Sequence, residues 1–308
     1  MSRYIARRLL QMVATFIGTT FIVYALMFAY TKDPLQALAG ERPVTEAQRR
    51  VMTERYHLDE PFLVQYGYYM KGLVTGDFGQ SLTGREIRDM LGLAWPVTAK
   101  LALLAILFVI IFGVTGGVVA GLRRGGFFDT ASLALTLIFV SVPIIVIAPL
   151  AQYVFGVKWQ IFPITTGADP SLHALILPAM VLGSLSLATN MRLTRTSVAE
   201  NLRADYVRTA KAKGLSRRRV VGIHVVRNSM IPVVTSIGVD LGSLMGGAIV
   251  TEGVFNIPGV GFNLLRGIRT EDGPVVVGFV SVLVMVYLVT SLVVDLLYAV
   301  LDPRIRYD

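Results

Sequence analysis

Along most of the chain, apolar residues are not alternated with polar ones but gathered into long runs. Six of these runs have the length of a membrane crossing: residues 9–30, 101–122, 130–157, 174–191, 231–251 and 275–294. A hydrocarbon core about 30 Å thick needs roughly 20 residues of helix to cross it. Asp240 is the only charged residue inside these runs. With no water in the bilayer to satisfy backbone N–H and C=O groups, such runs must be helical or belong to a closed barrel, and their length selects helices. The pattern therefore predicts an all-α integral membrane protein with six transmembrane helices. Residues 31–100 interrupt it with a polar stretch, where Thr45 is placed to cap a helix over residues 46–56 and a second apolar-aromatic segment follows Pro61.

The first run follows Arg3, Arg7 and Arg8, and Ala37-Leu38-Ala39 has the small-residue character of a cleavage site. A signal peptide is nevertheless rejected, because the apolar core is longer than the usual span of about 7 to 15 residues and the triplet lies well beyond it.

Composition agrees with the membrane reading: 54% of residues are hydrophobic and 16% charged, against about 25% charged in an ordinary soluble domain. The chain has no cysteine, which excludes disulfides, Cys-ligated zinc, iron–sulfur clusters and thiol nucleophiles. Its formal charge of +9 marks cytoplasmic loops and not a nucleic-acid partner once the positions are considered. Alternate loops group 17 Lys and Arg on the side of the N-terminus, Arg123 and Arg124, residues 192–230 and the tail, against three in the short loops opposite. By the positive-inside rule both termini face the cytoplasm, and residues 31–100, too long for that rule to count, form an extracytoplasmic domain.

Several chemistries lack their residues. There is no G-x-x-x-x-G-K-[ST] phosphate loop, so ATP used by this protein must bind another chain. His57, His173 and His224 are far apart in sequence and form neither an H-E-x-x-H site nor an intramembrane Ser-His pair. A voltage-gated channel is opposed by the absence of a Thr-Val-Gly-Tyr-Gly filter and by Arg192 and Arg195 lying past the fourth run instead of repeating through it.

Three segments carry candidate function. Between the fourth and fifth runs, Asp205 is suited to cap a helix over residues 206–213, Gly214 to end it in the left-handed conformation, and Ser216 to cap the helix leading to Pro232. A helix this short is marginal in water and needs something to dock on; contact with anionic lipid is the plainer role for its basic residues. Residues 255–262, Phe-Asn-Ile-Pro-Gly-Val-Gly-Phe, followed by Leu264, Leu265 and Ile268, form a turn-rich outer loop, read either as an interfacial loop or as an outer gate with Phe255, Pro258 and Phe262 as its candidates. Finally, Asp240 lies about 13 Å into its run at 1.5 Å per residue. It falls on the face opposite a small-residue seam of Gly238, Gly242 and Gly246. It is a candidate for the translocation path, where it would receive a cationic group, or else a hydrogen-bonded anchor between helices.

Residues 205–232, D-Y-V-R-T-A-K-A-K-G-L-S-R-R-R-V-V-G-I-H-V-V-R-N-S-M-I-P, resemble the cytoplasmic signature of permease subunits of binding-protein-dependent ABC importers, in the form of the oligopeptide, dipeptide and nickel group. The family pattern is E-A-A-x-x-x-G followed by a hydrophobic-Pro pair. This chain keeps Ala210 and Gly214 but has Arg208 and Thr209 at the first two positions. Arg7-Arg8-Leu9, Asp33-Pro34, Leu58-Asp59-Glu60-Pro61, Gly76-Asp77-Phe78-Gly79-Gln80-Ser81, residues 251–261 and the closing Leu301-Asp302-Pro303-Arg304-Ile305-Arg306-Tyr307 extend the likeness to the B-type permease over the whole chain.

The resemblance implies the type I ABC importer permease fold. It divides the chain into residues 1–94, a first helix plus extracytoplasmic domain, and residues 95–308, the transmembrane domain. A cytoplasmic coupling helix at about 205–216 would use Asp205, Tyr206, Arg208, Ala210, Lys211, Gly214, Leu215 and Ser216. Implied partners are a C-type permease subunit, two ATP-binding subunits carrying ATP and Mg2+, an extracytoplasmic substrate-binding protein and the lipid bilayer, with no cofactor, metal or catalytic residue on this chain and no nucleic acid. The expected place is the bacterial inner membrane, and the expected cargo di- or oligopeptides, with a nickel chelate or another substrate of the group as the alternative. Two readings from other classes are an ion-coupled secondary transporter, which would show paired repeats and intramembrane carboxylates, and a lipid-binding scaffold.

Overall fold

Backbone groups in lipid must be satisfied within the chain, and among the described residues the long apolar runs are helical, one of them with a break. The structure is a computed structural model that describes residues 2–28, 46–167 and 170–301. The end of the first run, the Thr45 cap, the Ala37-Leu38-Ala39 and Asp33-Pro34 segments and most of the closing motif lie outside them. In chain order the helices are α1 (Ser2–Phe28), α2 (Glu46–Tyr56), α3 (Phe62–Thr75), α4 (Ile87–Leu122), α5 (Phe127–Ser141) and α6 (Ile144–Lys158). They continue with α7 (Leu172–Asn201), α8 (Asp205–Ala212), α9 (Arg227–Phe255), α10 (Val260–Arg269) and α11 (Gly273–Leu301). The short helix Arg217–Arg219 and π-helical Val220–Val226 lead into α9 without a break. Among the described residues the β-structure is a single isolated bridge, Gln80 with Glu86.

Five helices are long and apolar enough to cross a membrane, and two further pairs qualify only as bent units. The run at 130–157, expected as one span, is such a pair: α5 and α6 meet at 107°. The cause is local. Pro143 precedes α6 and drives Val142 to an extended φ of −105° and ψ of 122°, as a residue before proline prefers. Span two is longer than expected, beginning at Ile87 and running 36 residues, about 54 Å at 1.5 Å per residue. It passes through Pro96 and the π-helical stretch Val109–Val114, and the boundary expected at residue 94 falls inside it.

α7 is the most buried of the long helices and α1 the least. Close approach of α4 to α7 depends on Gly113, Gly117 and Gly121, one every four residues. A Cβ on Gly117 would lie 2.6 Å from the Met191 carbonyl oxygen, and one on Gly121 2.8 Å from that of Arg195. This small-xxx-small seam lets the two backbones touch, which is how helices associate where lipid removes the hydrophobic drive. The seam noticed in the sequence is shorter: Gly238 abuts Val294 and Gly242 abuts Thr290 on α11, whereas Gly246 has no such neighbour within 4 Å.

α1 is held at both ends. Arg8 Nε donates to Asp295 Oδ2 at 2.5 Å, so the start of α1 and the end of α11 lie at one end of the molecule. At the other end Tyr24 and Phe28 pack with Phe62, Tyr66 and Tyr69 of α3, while the Tyr69 hydroxyl bonds Ser281 Oγ at 2.6 Å. Tyr56 donates to the Gln80 carbonyl at 2.6 Å, and burial pushes its phenol up to about 12.

Candidate functional site

The segment 205–216 folds into a helix and a glycine corner. α8 covers Asp205–Ala212, one residue earlier than expected at each end, because the cap position belongs to Ala204, with φ −66° and ψ 150°. Asp205 is therefore not the cap. It stands in the first turn, where a carboxylate still complements the helix dipole, and makes an exposed pair with Arg208 at 3.6 Å. Ser216 does occupy the cap position of the next helix, but its side chain makes no capping bond.

Gly214 has φ +76°, the left-handed conformation expected of it. Its N–H donates to Lys211 O at 3.0 Å and that of Leu215 to Ala210 O at 3.3 Å, the paired bonds of a Schellman motif. One face of α8 is anchored: Val207 and Ala210 are buried with Val198 of α7, Val220 and Val225, and Leu215 packs against them. Its other face exposes Asp205, Tyr206, Arg208 and Lys211. The Tyr206 hydroxyl donates to the Asn201 side chain. Burial of one face orders the helix, and the charged face is left free to meet a partner.

Beneath this corner lies an ion pair that sequence reading missed. Asp129, 2% exposed in the first turn of α5, accepts from Arg195 Nε and from Nη2 at 2.8 Å, and also from the Gly125 N–H at 2.8 Å. It ties the turn between α4 and α5 to α7, within two turns of the end of α7 at Asn201. The only signal in the sequence was an acid and a base within two loops of otherwise basic character.

Asp240 does sit opposite the glycine seam, and its neighbour there is α7. Asn190 Nδ2 donates to Asp240 Oδ2 at 2.5 Å and to Ser186 O at 2.9 Å. Asp240 is half-buried, Asn190 fully buried, and the Asn190 Oδ1 has no hydrogen-bond partner. The glycine seam packs on α11 of this same chain, so the carboxylate faces α7 first.

At the end of α9, residues 251–261 turn the chain into α10 through 79°. Asn256 takes the left-handed conformation with φ +53°, and the Ile257 N–H donates back to Glu252 O at 2.9 Å. The Glu252 side chain, 0% exposed, accepts from Thr98 Oγ1 at 2.6 Å and from the Phe262 N–H at 3.0 Å. Thr98 in turn accepts from the Val260 N–H at 2.9 Å. Gly261 lies against the backbone of Ile249, where a Cβ would come within 2.5 Å. Of the gate candidates, Phe255 is wholly buried with Ile257 in the central core, while Pro258 and Phe262 are partly exposed. α10 is amphipathic as expected: Leu264 is buried, Leu265 partly so, and Ile268 points outward. Beside it a cavity of about 520 Å³ is lined by Arg85, Arg266, Arg269 and Glu271.

Among the described residues no group of three or more His, Cys, Asp or Glu is placed to hold a metal ion. The arrangement offers instead an anchored amphipathic helix with a free charged face, a polar contact between α7 and α9, and a tightly bonded turn between α9 and α10.

Comparison with known proteins accounts for nearly the whole chain. Residues 113–307 match the family described as binding-protein-dependent transport system inner membrane component, and residues 1–86 match the N-terminal membrane component of the same systems. The dipeptide transport system permease protein of Bacillus subtilis (strain 168) is 37% identical over 308 residues, covering 99% of this chain and 98% of that protein. A di/tripeptide transport system permease protein of Pseudomonas aeruginosa is 37% identical over 336 residues, and a glutathione transport system permease protein of Escherichia coli (strain K12) 35% over 309, each covering 100% of both chains. With matches at both ends and relatives aligned over their full length, the chain belongs to the family of inner membrane components of binding-protein-dependent transport systems.

Proposed function

We propose that the chain is the membrane-spanning permease subunit of an ATP-driven importer, passing di- or oligopeptides from an extracytoplasmic binding protein into the cytoplasm by alternating access. The observation that carries this reading is the full-length likeness to permeases named for dipeptides and di/tripeptides. The fold is then the type I importer permease, with the α5–α6 pair serving as one crossing. Residues 1–94 contribute the first helix and an extracytoplasmic domain, and residues 95–308 the transmembrane domain. Both termini face the cytoplasm, a reading supported by the Arg8–Asp295 pair and by the basic loops.

In this reading α8 and its corner, with Asp205, Tyr206, Arg208, Ala210, Lys211, Gly214, Leu215 and Ser216, dock on one of two ATP-binding subunits that bind ATP and Mg2+. A rigid helix receives the motion those subunits generate. A C-type permease completes the pore. Asp240, with Asn190, faces the path and receives the cationic end of a peptide, and Phe255, Pro258 and Phe262 belong to the outer gate.

The test is reconstitution of the chain with its neighbouring subunits in proteoliposomes and measurement of dipeptide uptake. Uptake that requires ATP and the binding protein is expected. Uptake that persists without ATP and collapses with an ionophore would establish an ion-coupled transporter instead. Glutathione in parallel separates the substrates named for the relatives.

A further inference from the structure

The turn after α9 contains a buried carboxylate whose hydrogen bonds join three different helices. Glu252 stands at the end of α9; Thr98 belongs to α4; Phe262 and Val260 supply N–H groups from the first turn of α10. A helix N-terminus leaves its first four N–H groups without partners inside the helix. Here one is satisfied by the carboxylate and one by the hydroxyl that the carboxylate itself engages. Both side chains are 0% exposed, so water cannot replace a lost bond. A buried carboxyl group stripped of its hydrogen bonds is costly, and α10 cannot leave α9 or α4 without stripping this one or its linking hydroxyl.

Two neighbouring glycines fit this reading. Gly259 has no Cβ because the Glu252 carboxylate fills that space, and Gly261 lets the first turn of α10 rest on Ile249 of α9. The far side of the turn is fastened independently: Gln152 Nε2 of α6 donates to Val254 O at 3.0 Å, and the Thr166 N–H to Phe255 O at 3.3 Å.

We propose that Glu252 is the positioning residue of the outer cover, joining the end of α9, the outer part of α4 and α10 into one piece that moves as a unit when the outer side opens. This rests on the reading of residues 255–262 as the outer gate. It locates the sliding surface elsewhere, since the α9–α10 angle is fixed by a bonded carboxylate and not by a flexible loop.

The chain has no native cysteine, so one reporter at a time can be read by maleimide labelling of the complete detergent-solubilised complex. Val260→Cys, nearly isosteric and fully buried, reports on the outer turn; Val207→Cys, fully buried under α8, reports on the cytoplasmic end. Glu252→Ala leaves the Thr98 hydroxyl and the Phe262 N–H without their acceptor, and labelling of Val260→Cys should rise by about tenfold or more. Labelling of Val207→Cys should not change. Glu252→Gln keeps an acceptor for Phe262 and a polar partner for Thr98, and should restore slow labelling to within about threefold of the native rate.

An unchanged Val260→Cys rate in Glu252→Ala overturns the proposal, and so does an equal rise at both reporters, which is general loosening. If Glu252→Ala does not accumulate, Thr98→Val decides by the same measure, because it keeps the shape and removes only the linking hydroxyl. Peptide uptake by the same variants tests the underlying gate reading separately. A faster outer reporter with undiminished uptake leaves Glu252 as the positioning residue of α10 and removes the gate role from the turn.

Discussion

Replacing Gly214 by Val tests whether the corner after α8 transmits motion, and the structure sets the size of the effect. A Cβ at this position meets nothing within 4 Å, so steric collision contributes nothing. What remains is the backbone: φ of +76° costs an L-residue about 1–2 kcal/mol, with a β-branched residue at the upper end. Relaxing to a right-handed conformation would instead forfeit the Gly214–Lys211 and Leu215–Ala210 bonds, about 1 kcal/mol each. Either way the corner loses roughly 2 kcal/mol, and its ordered population falls on the order of 30-fold relative to open forms.

The consequence should be uncoupling without unfolding, since α8 lies at one end of the molecule and the α4–α7–α9 core does not depend on it. In proteoliposomes the ratio of peptide uptake to ATP hydrolysis should fall for Gly214→Val, with an unchanged thermal midpoint. Gly214→Asn, a residue that tolerates the left-handed region, should stay close to the native ratio, with Gly214→Ala between. Native coupling in Gly214→Val would refute the reasoning, and so would a Gly214→Asn as damaged as Gly214→Val, because only the conformational cost distinguishes them.

Single cysteines should report the orientation: Thr83→Cys labelled by an impermeant maleimide from outside, and Gly126→Cys and Ser216→Cys only after the cytoplasmic face is opened. Outside labelling of Ser216→Cys reverses the topology. Removing one partner of the buried Asp129–Arg195 pair, as in Arg195→Met, should destabilise the chain by about 3 kcal/mol, read as a lowered thermal midpoint. The double change Asp129→Leu with Arg195→Met should recover most of the loss, and a single variant as stable as the native chain would remove the pair from the account. Asp240→Asn should impair uptake of cationic dipeptides more than anionic ones while assembly is preserved; equal uptake of both, or loss of assembly, assigns the carboxylate to helix anchoring alone.

What was legible in the sequence is what length and hydropathy can count. Apolar runs located the long helices, and the glycine at 214 announced its own φ because few other residues adopt it. The 107° break between α5 and α6 escaped because Ser141 is the one polar residue beside Val142 and Pro143 and carries no charge, so a hydropathy sum passes through the bend almost unchanged. Pro149 and Pro178 are of the same type and sit inside helices; only the surroundings distinguish a proline that breaks from one that is tolerated. The early start of α4 at Ile87 was hidden by its charged outer part, which includes Arg88 and Asp89.

Polar residues were harder to place, and for a reason that bears on function. Asp129, Glu252 and Asn190 carry no periodic signal: each stands beside a threonine near the edge of, or within, an apolar run, and sequence alone gives it a loop or an exposed face. Their burial follows from partners distant in the chain, Arg195 for Asp129, Thr98 and Phe262 for Glu252, Asp240 for Asn190. Inside a membrane protein these contacts are costly to break, so they mark which helices travel together. Arg195 and Asp129 bind α5 to α7 at the end that carries α8; Glu252 binds α4, α9 and α10 at the opposite end; Asn190 and Asp240, with Ser186 also bonded to the half-buried carboxylate, join α7 to α9 midway. In the proposed importer the two bonded ends are the rigid pieces, and the Asn190–Asp240 contact between α7 and α9 lies between them.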